Sequence, residues 1–299
     1  MLLYKRIPLT FLLRNIRREA LLVFLFANLV VFAKMLFHLR YLTIPIAIPT
    51  LLGTCISLLL AFRTNQAYER WWEARIVWGA IVNDSRSFIR QVQMFLPDGP
   101  NRQLMLQAFV QRQCAWCFAL GDTLRGHQVA ERLRQFLPPA TVDELLTNDN
   151  IPNALLADHG IAISQLYKNG QISDFQMTHL SATLNNLTDS MGRCERIKNT
   201  PFPPTYTFNM QVFIYLFSAI LPFCFESDLY YLDVPLVTLI SCGFMLIEKS
   251  AIQLQDPFEN KPTDTPVTTI ARTIEINLKT MADFKAVPEK VPAYDYYAM

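Results

Sequence analysis

Four histidines, six cysteines and 25 acidic residues are the side chains of this 299-residue chain with chemistry in them, and their spacing decides what that chemistry is. His38, His127, His159 and His179 fit no H-E-x-x-H or other metal-ligand spacing, and each reads as a surface or helix-end residue. Hydrolysis or group transfer needs a nucleophile with its base, paired carboxylates in one pocket, or metal ligands. No G-x-S-x-G, Walker loop or dinucleotide fingerprint is present, so we assign no catalytic residue, no metal and no cofactor, and expect no enzyme. The cysteines (Cys55, Cys114, Cys117, Cys194, Cys224 and Cys242) form no disulfide framework. Cys114 and Cys117 make a C-x-x-C, but a redox motif needs a thioredoxin-like βαβ setting, and QRQCAWCFAL reads as a helix offering small and aromatic residues to a packed face.

The side chains whose spacing carries more are apolar. Thr54, Leu58 and Phe62 follow at i, i+4 and i+8 and share one slowly drifting helical stripe. Such a stripe either packs against neighbouring helices or, repeated around an axis, makes a hydrophobic constriction that gates ions by dewetting.

The elements that hold this stripe are membrane spans. Apolar residues are 52% of the chain and charged residues 17%, with mean hydropathy +0.20, whereas a soluble domain carries about 25% charged residues. The net charge of +2, with 27 basic residues against 25 acidic and no basic stripe, gives no pointer to nucleic acid, and no nucleic-acid partner is expected. Apolar runs predict spans over 20–39, 41–62, 207–225 and 234–247, the last short by itself. Arg14, Arg17 and Arg18 precede the first span, and the turn between the last two carries Glu226, Asp228 and Asp233 and no basic residue. The positive-inside rule then puts both termini and the middle segment in the cytoplasm of a multi-pass protein. The expected organisation is a cytoplasmic segment 1–19, spans one and two in 20–62, a helical body 63–206, spans three and four in 207–247 and a cytosolic tail 248–299.

The middle segment reads as helical. Trp71, Trp72, Ile76, Trp78, Ile81, Val82, Phe88, Ile89 and Val92 recur at three- and four-residue steps until Pro97, Gly99 and Pro100 end the run. Further helices are expected over 102–124, 173–197 and 267–283, and no stretch alternates as a strand.

FRTNQAYERWWEARIVWGAIVNDSR (62–86) resembles the signature of bacterial bestrophin homologues, and GRCERIKNTPFPPTYT (192–207), LQDPF (254–258) and IEINL (274–278) match the later landmarks of that family in order. The resemblance spans almost the whole chain. It implies an all-α integral membrane protein in which five subunits surround one axial pore, each giving four transmembrane helices and a long helical cytosolic body. It further implies passive transport of monovalent ions, chloride by family resemblance, across the bacterial inner membrane. The neck falls at Thr54, Leu58 and Phe62, where Thr54 departs from the family's three bulky apolar residues. A lower cytosolic aperture falls near Phe175 or Met177, with Phe175 preferred.

Eukaryotic members carry a calcium clasp in a dense acidic run, but 259–264 here offers only Glu259 and Asp264 beside Lys261, and calcium wants six to eight oxygens, so calcium regulation is not expected. Ion sign stays open. Helix starts near Pro45 and Pro49 could offer backbone N–H groups to an anion, whereas Glu226, Asp228 and Asp233 from five copies would gather cations at the outer mouth. A cation channel for sodium or potassium and a membrane scaffold or redox partner are the alternatives. Subunit packing is expected from Arg70, Trp71, Trp72 and Glu73, with Arg70 and Glu73 as a buried pair shielded by the aromatics.

Overall fold

The computed structural model describes residues 9–37, 43–225, 230–292 and 297. Among them ten α-helices follow one another and no β-strand occurs: α1 (Leu9–Leu36), α2 (Ala47–Phe95), α3 (Arg102–Leu124), α4 (Ala130–Leu133), α5 (Pro139–Leu145), α6 (Ile151–Lys168), α7 (Asp174–Asn199), α8 (Pro204–Ile220), α9 (Tyr230–Gln255) and α10 (Val267–Met281). A 3-10 turn, Leu221–Phe223, closes α8. The chain divides into two compact units, one of residues 5–71 with 201–256 and the other of 72–200 with 257–299. α2 and α9 run on as helix past the hydropathy breaks at 62 and 247, while the boundary after residue 200 lies in the connection between α7 and α8.

The apolar unit holds α1, the first half of α2, α8 and α9. Four stretches are long and apolar enough to cross a membrane: Arg14–Leu36, a window within Ala47–Phe95, Pro204–Phe223 and Leu232–Gln255. α1 packs chiefly on α9, and Ile16, Val23, Ala27, Ile56, Leu60, Met210, Ile214 and Val237 share the core. Gly53 lets α2 approach α8, since a Cβ there would stand 3.3 Å from the Phe217 ring. α1 begins well before residue 20, so Arg14, Arg17 and Arg18 lie inside the first helix rather than on a flanking segment. Lys34, within the first apolar run, is 6% exposed because its Nζ donates to the Phe225 carbonyl at 3.0 Å. The fourth span is not short: α9 runs 26 residues, carrying Glu248 and Lys249 along as ion-paired members.

The polar unit is built around α3. From Gln113 to Asp122 every residue of this helix is buried, with α10, α6, α7 and α4 around it. Its core joins Trp78, Ile81, Phe88 and Val92 of α2 to Phe109, Val110, Trp116 and Leu120 of α3 and to Ile274 and Leu278 of α10. α3 and α10 meet closely at Gly121, where an added Cβ would lie 2.5 Å from Val267 Cγ1. Glu275, 2% exposed, takes Arg272 and Lys279 at 2.7 Å each, an acid–base triad within α10. The sequence reading had no counterpart for α6, which starts on a capped turn: Asn150 Oδ1 accepts from Asn153 N at 3.0 Å, with proline in the first turn.

Candidate pore-lining face

The rotation of α2 decides what the Thr54 stripe can do. Pro49, Gly53, Ile56, Leu60, Arg63 and Ala67 are buried, and their alternating steps of four and three make the seam along which α2 packs on its own chain. Thr54, Leu58 and Phe62 lie on the other side and are exposed, Leu58 and Phe62 at 59% each. Packing inside the chain is therefore not what this stripe does. Thr54 Oγ1 donates to the Thr50 carbonyl at 2.8 Å, so its proton is held in the helix and its lone pairs face outward. Cys55 is exposed beside the stripe, while Cys114, Cys117 and Cys194 are buried and Cys224 and Cys242 half-buried, all as free thiols.

A cluster of charges that the sequence reading passed over sets this rotation. Arg63, 1% exposed, reaches Glu248 Oε1 at 3.3 Å and Thr207 Oγ1 at 3.0 Å, and its guanidinium stands 5.6 Å from the Phe202 ring centroid. Lys249 and Glu19 pair at 3.0 Å nearby on α9 and α1. The signal was present: Glu19, Arg63 and Glu248 each stand one residue beyond an apolar run, and alternating connectivity brings those three ends to one level. A buried charge without its partner costs about 3–5 kcal/mol, which pins α2 with Arg63 inward and Phe62 outward.

The other expected positions fare unevenly. Phe175 is 82% exposed in the first turn of α7, held by a capping box in which Ser173 N donates to Gln176 Oε1 at 2.8 Å. Met177 instead packs half-buried against the polar unit's core. Glu226 and Asp228 lie outside the described residues, and Asp233 is 4% exposed, turned into the protein in the first turn of α9 rather than toward an outer mouth. At the start of α2, Ile48 N already donates to Pro45 O at 3.0 Å and Thr50 N to Ile46 O at 3.1 Å, so neither amide is left for an anion.

Arg70 and Glu73 do not form the expected buried pair. Arg70 faces Asp256 at 4.0 Å and Glu73 takes Arg196 at 2.7 Å in an exposed bridge, because a guanidinium on α7 lies closer to Glu73 than its own helix neighbour does. Trp78 is fully buried, Trp71 is half-buried with its ring 6.0 Å from Tyr68, and Trp72 is 48% exposed. His159 is also a correction. It is 0% exposed in mid-α6, between Phe88 (4.9 Å) and Phe109 (5.7 Å), with neither ring nitrogen hydrogen-bonded, whereas His127 and His179 are at the surface and His38 lies outside the described residues. Cys114 and Cys117 are both 0% exposed, and burial pushes the Cys117 thiol up to about 12, which keeps it protonated and inert.

The two carboxylates that follow LQDPF already have partners within the chain. Glu259 is held by Lys198 at 2.7 Å, and buried Asp264 accepts from Lys261 N at 3.1 Å and resists ionisation because burial raises its carboxyl above the usual range. Among the described residues no group of three or more His, Cys, Asp or Glu is placed to hold a metal ion.

Four apolar helices, a helical polar unit and a bare stripe on the second span define a polytopic helical membrane protein. Residues 9–280 match the family described as bacterial/fungal bestrophin protein, and the chain belongs to that family. It is similar to the voltage-dependent anion channel-forming protein YneE of Escherichia coli K12, 33% identical over 287 residues that cover 96% of this chain and 93% of that one. A protein of the same description from Nostoc is 31% identical over 267 residues, covering 86% and 84%. The crystal structure of a bestrophin homologue from Klebsiella pneumoniae superposes with a TM-score of 0.84 at 30% identity, covering 90% of this chain and 98% of that one. The Escherichia coli and Nostoc relatives are channel-forming proteins and not enzymes.

Proposed function

We propose that the chain assembles as a homopentamer around one axis and passes monovalent anions, chloride foremost, passively across the bacterial inner membrane. Thr54, Leu58 and Phe62 of five copies form the neck. The observation that carries this reading is the rotation of α2, which buries one seam and leaves the Thr54–Leu58–Phe62 face outside the chain's own core. That face continues through Thr54 and Asn65, polar residues that a face turned wholly to lipid has no use for. Anion conduction is supported by the names of the Escherichia coli and Nostoc relatives. Exposed Phe175 supports a second constriction on the cytosolic side, and exposed Trp72 offers apolar surface to a neighbouring subunit. Arg14, Arg17 and Arg18 in α1 favour cytoplasmic termini, with Glu226 and Asp228 at the outer turn.

A ring of phenyl groups gives a hydrated ion no hydrogen-bonding partner, so the water column is unfavourable at that height and conduction is limited there. Phe62→Ala, and Leu58→Ala to a similar degree, should raise single-channel conductance or open probability in planar bilayers while leaving the pentamer intact on a sizing column. Thr54→Ala should matter less. Parent-like currents from well-assembled Phe62→Ala would move the gate to Phe175. A second reading, sodium or potassium as permeant ion in the same architecture, is favoured by the exposed carboxylate of Glu69. The reversal potential in a salt gradient separates the two. A redox scaffold has lost its motive in the buried thiols of Cys114 and Cys117.

A further inference from the structure

We propose that Glu69 sets the ion preference of the path, as a ring of carboxylates below the neck that draws cations and holds anion preference down. This inference rests on the five-fold channel reading and deepens it. Between residues 47 and 71, α2 carries three charged side chains: Arg63, Glu69 and Arg70. At about 100° per residue Glu69 points within about 20° of Leu58, while Arg63 and Arg70 point about 140° and 120° away. Their surroundings agree. Arg63 is 1% exposed on Glu248, and Arg70, with 18% of its side chain exposed, turns to Asp256 at 4.0 Å. Glu69 is exposed, and Asn65 Nδ2 donates to its Oε1 at 2.8 Å from the same stripe one turn closer to the neck. Of the charges on this part of α2, the negative one is left on the stripe.

The polar groups of the stripe lean the same way. The Thr54 hydroxyl gives its proton to the Thr50 carbonyl, leaving lone pairs toward the axis, and lone pairs suit a cation. Seven residues separate Phe62 from Glu69, about 10 Å of helix, so an ion that has passed the neck meets the carboxylates next. An Asn–Glu pair at i, i+4 is also common on solvated helix faces. Here the pair prolongs the Thr54–Leu58–Phe62 line without a break, and five symmetric copies would bring it around one opening, where like charges raise the local concentration of counter-ions.

The experiment is the reversal potential of purified protein in bilayers under a potassium chloride gradient. Glu69→Gln should shift it toward the chloride equilibrium potential, with a severalfold rise in the chloride-to-potassium permeability ratio, and Glu69→Lys should shift it further in the same direction. Asn65→Ala, which frees the carboxylate to swing, should move it less. Against any effect of the variants on assembly, Glu69→Cys in a Cys55→Ser background can be treated after reconstitution with an anionic or a cationic methanethiosulfonate. The anionic adduct should restore the parent potential and the cationic adduct should mimic Glu69→Lys. Currents whose reversal potential ignores the charge at residue 69 overturn the inference and leave the channel standing. A parent protein that passes no current overturns the channel and the inference with it.

Discussion

His159 is a base stored without a partner. Burial between Phe88 and Phe109, with the Arg112 guanidinium near, holds its imidazole well below the usual 6.5, so it stays neutral in the folded state and takes up a proton only on unfolding. The unfolded chain therefore binds more protons than the folded one below 6.5, and stability is complete above that pH and falls as the pH drops through it. His159→Phe keeps a ring in the aromatic slot and removes two ring nitrogens that have no hydrogen bond. Its melting at pH 8 should match or exceed the parent's, and the parent's fall between about pH 6.5 and 5.5 should flatten. Equal pH slopes in parent and variant would assign the acid sensitivity to other groups. Phe62, by contrast, is an apolar ring whose exposure to water costs free energy until lipid or another apolar side chain covers it.

Among the helices, those bounded by proline and glycine were legible. Pro97, Gly99 and Pro100 separate α2 from α3, and α10 begins at Val267 directly after Pro266. The spans were less so, because Glu19, Arg63, Glu248 and Lys249 look like the ends of apolar runs, yet paired charges let α1, α2 and α9 continue as helix through them. The stripe itself was legible in its four-residue steps. Whether it faced in or out was not, since that depends on which side of α2 Arg63 is drawn to. α6 escaped notice because its buried residues, Leu155, Leu156, Ile163 and Leu166, are spread among small and polar ones. Close helix approach leaves a fainter mark still, as a single glycine. Gly121→Ala would drive a methyl into Val267 Cγ1, and a β-branched side chain in a helix has little freedom to turn away. The substitution should cost roughly 1–3 kcal/mol, seen as a lower melting temperature in detergent. Val267→Ala added to it should recover most of the loss.

At the scale of the whole molecule, the ion pairs of the polar unit bear on regulation. With Glu259 held by Lys198 and Asp264 sealed in its own turn, currents measured in chelator and in micromolar calcium should agree within a few fold. A steep, saturable activation by calcium would mean that ligands from elsewhere complete a site. Cys55 has a different consequence. It is the one exposed thiol of the six, and it sits on the spanning helix beside the stripe, where every copy in a ring would repeat it. A nitroxide attached there turns the unmodified sequence into its own ruler. Electron spin echoes between identical labels read symmetry directly: two copies yield one spacing, four yield a side and a diagonal in the ratio of a square, and five yield the side and diagonal of a regular pentagon.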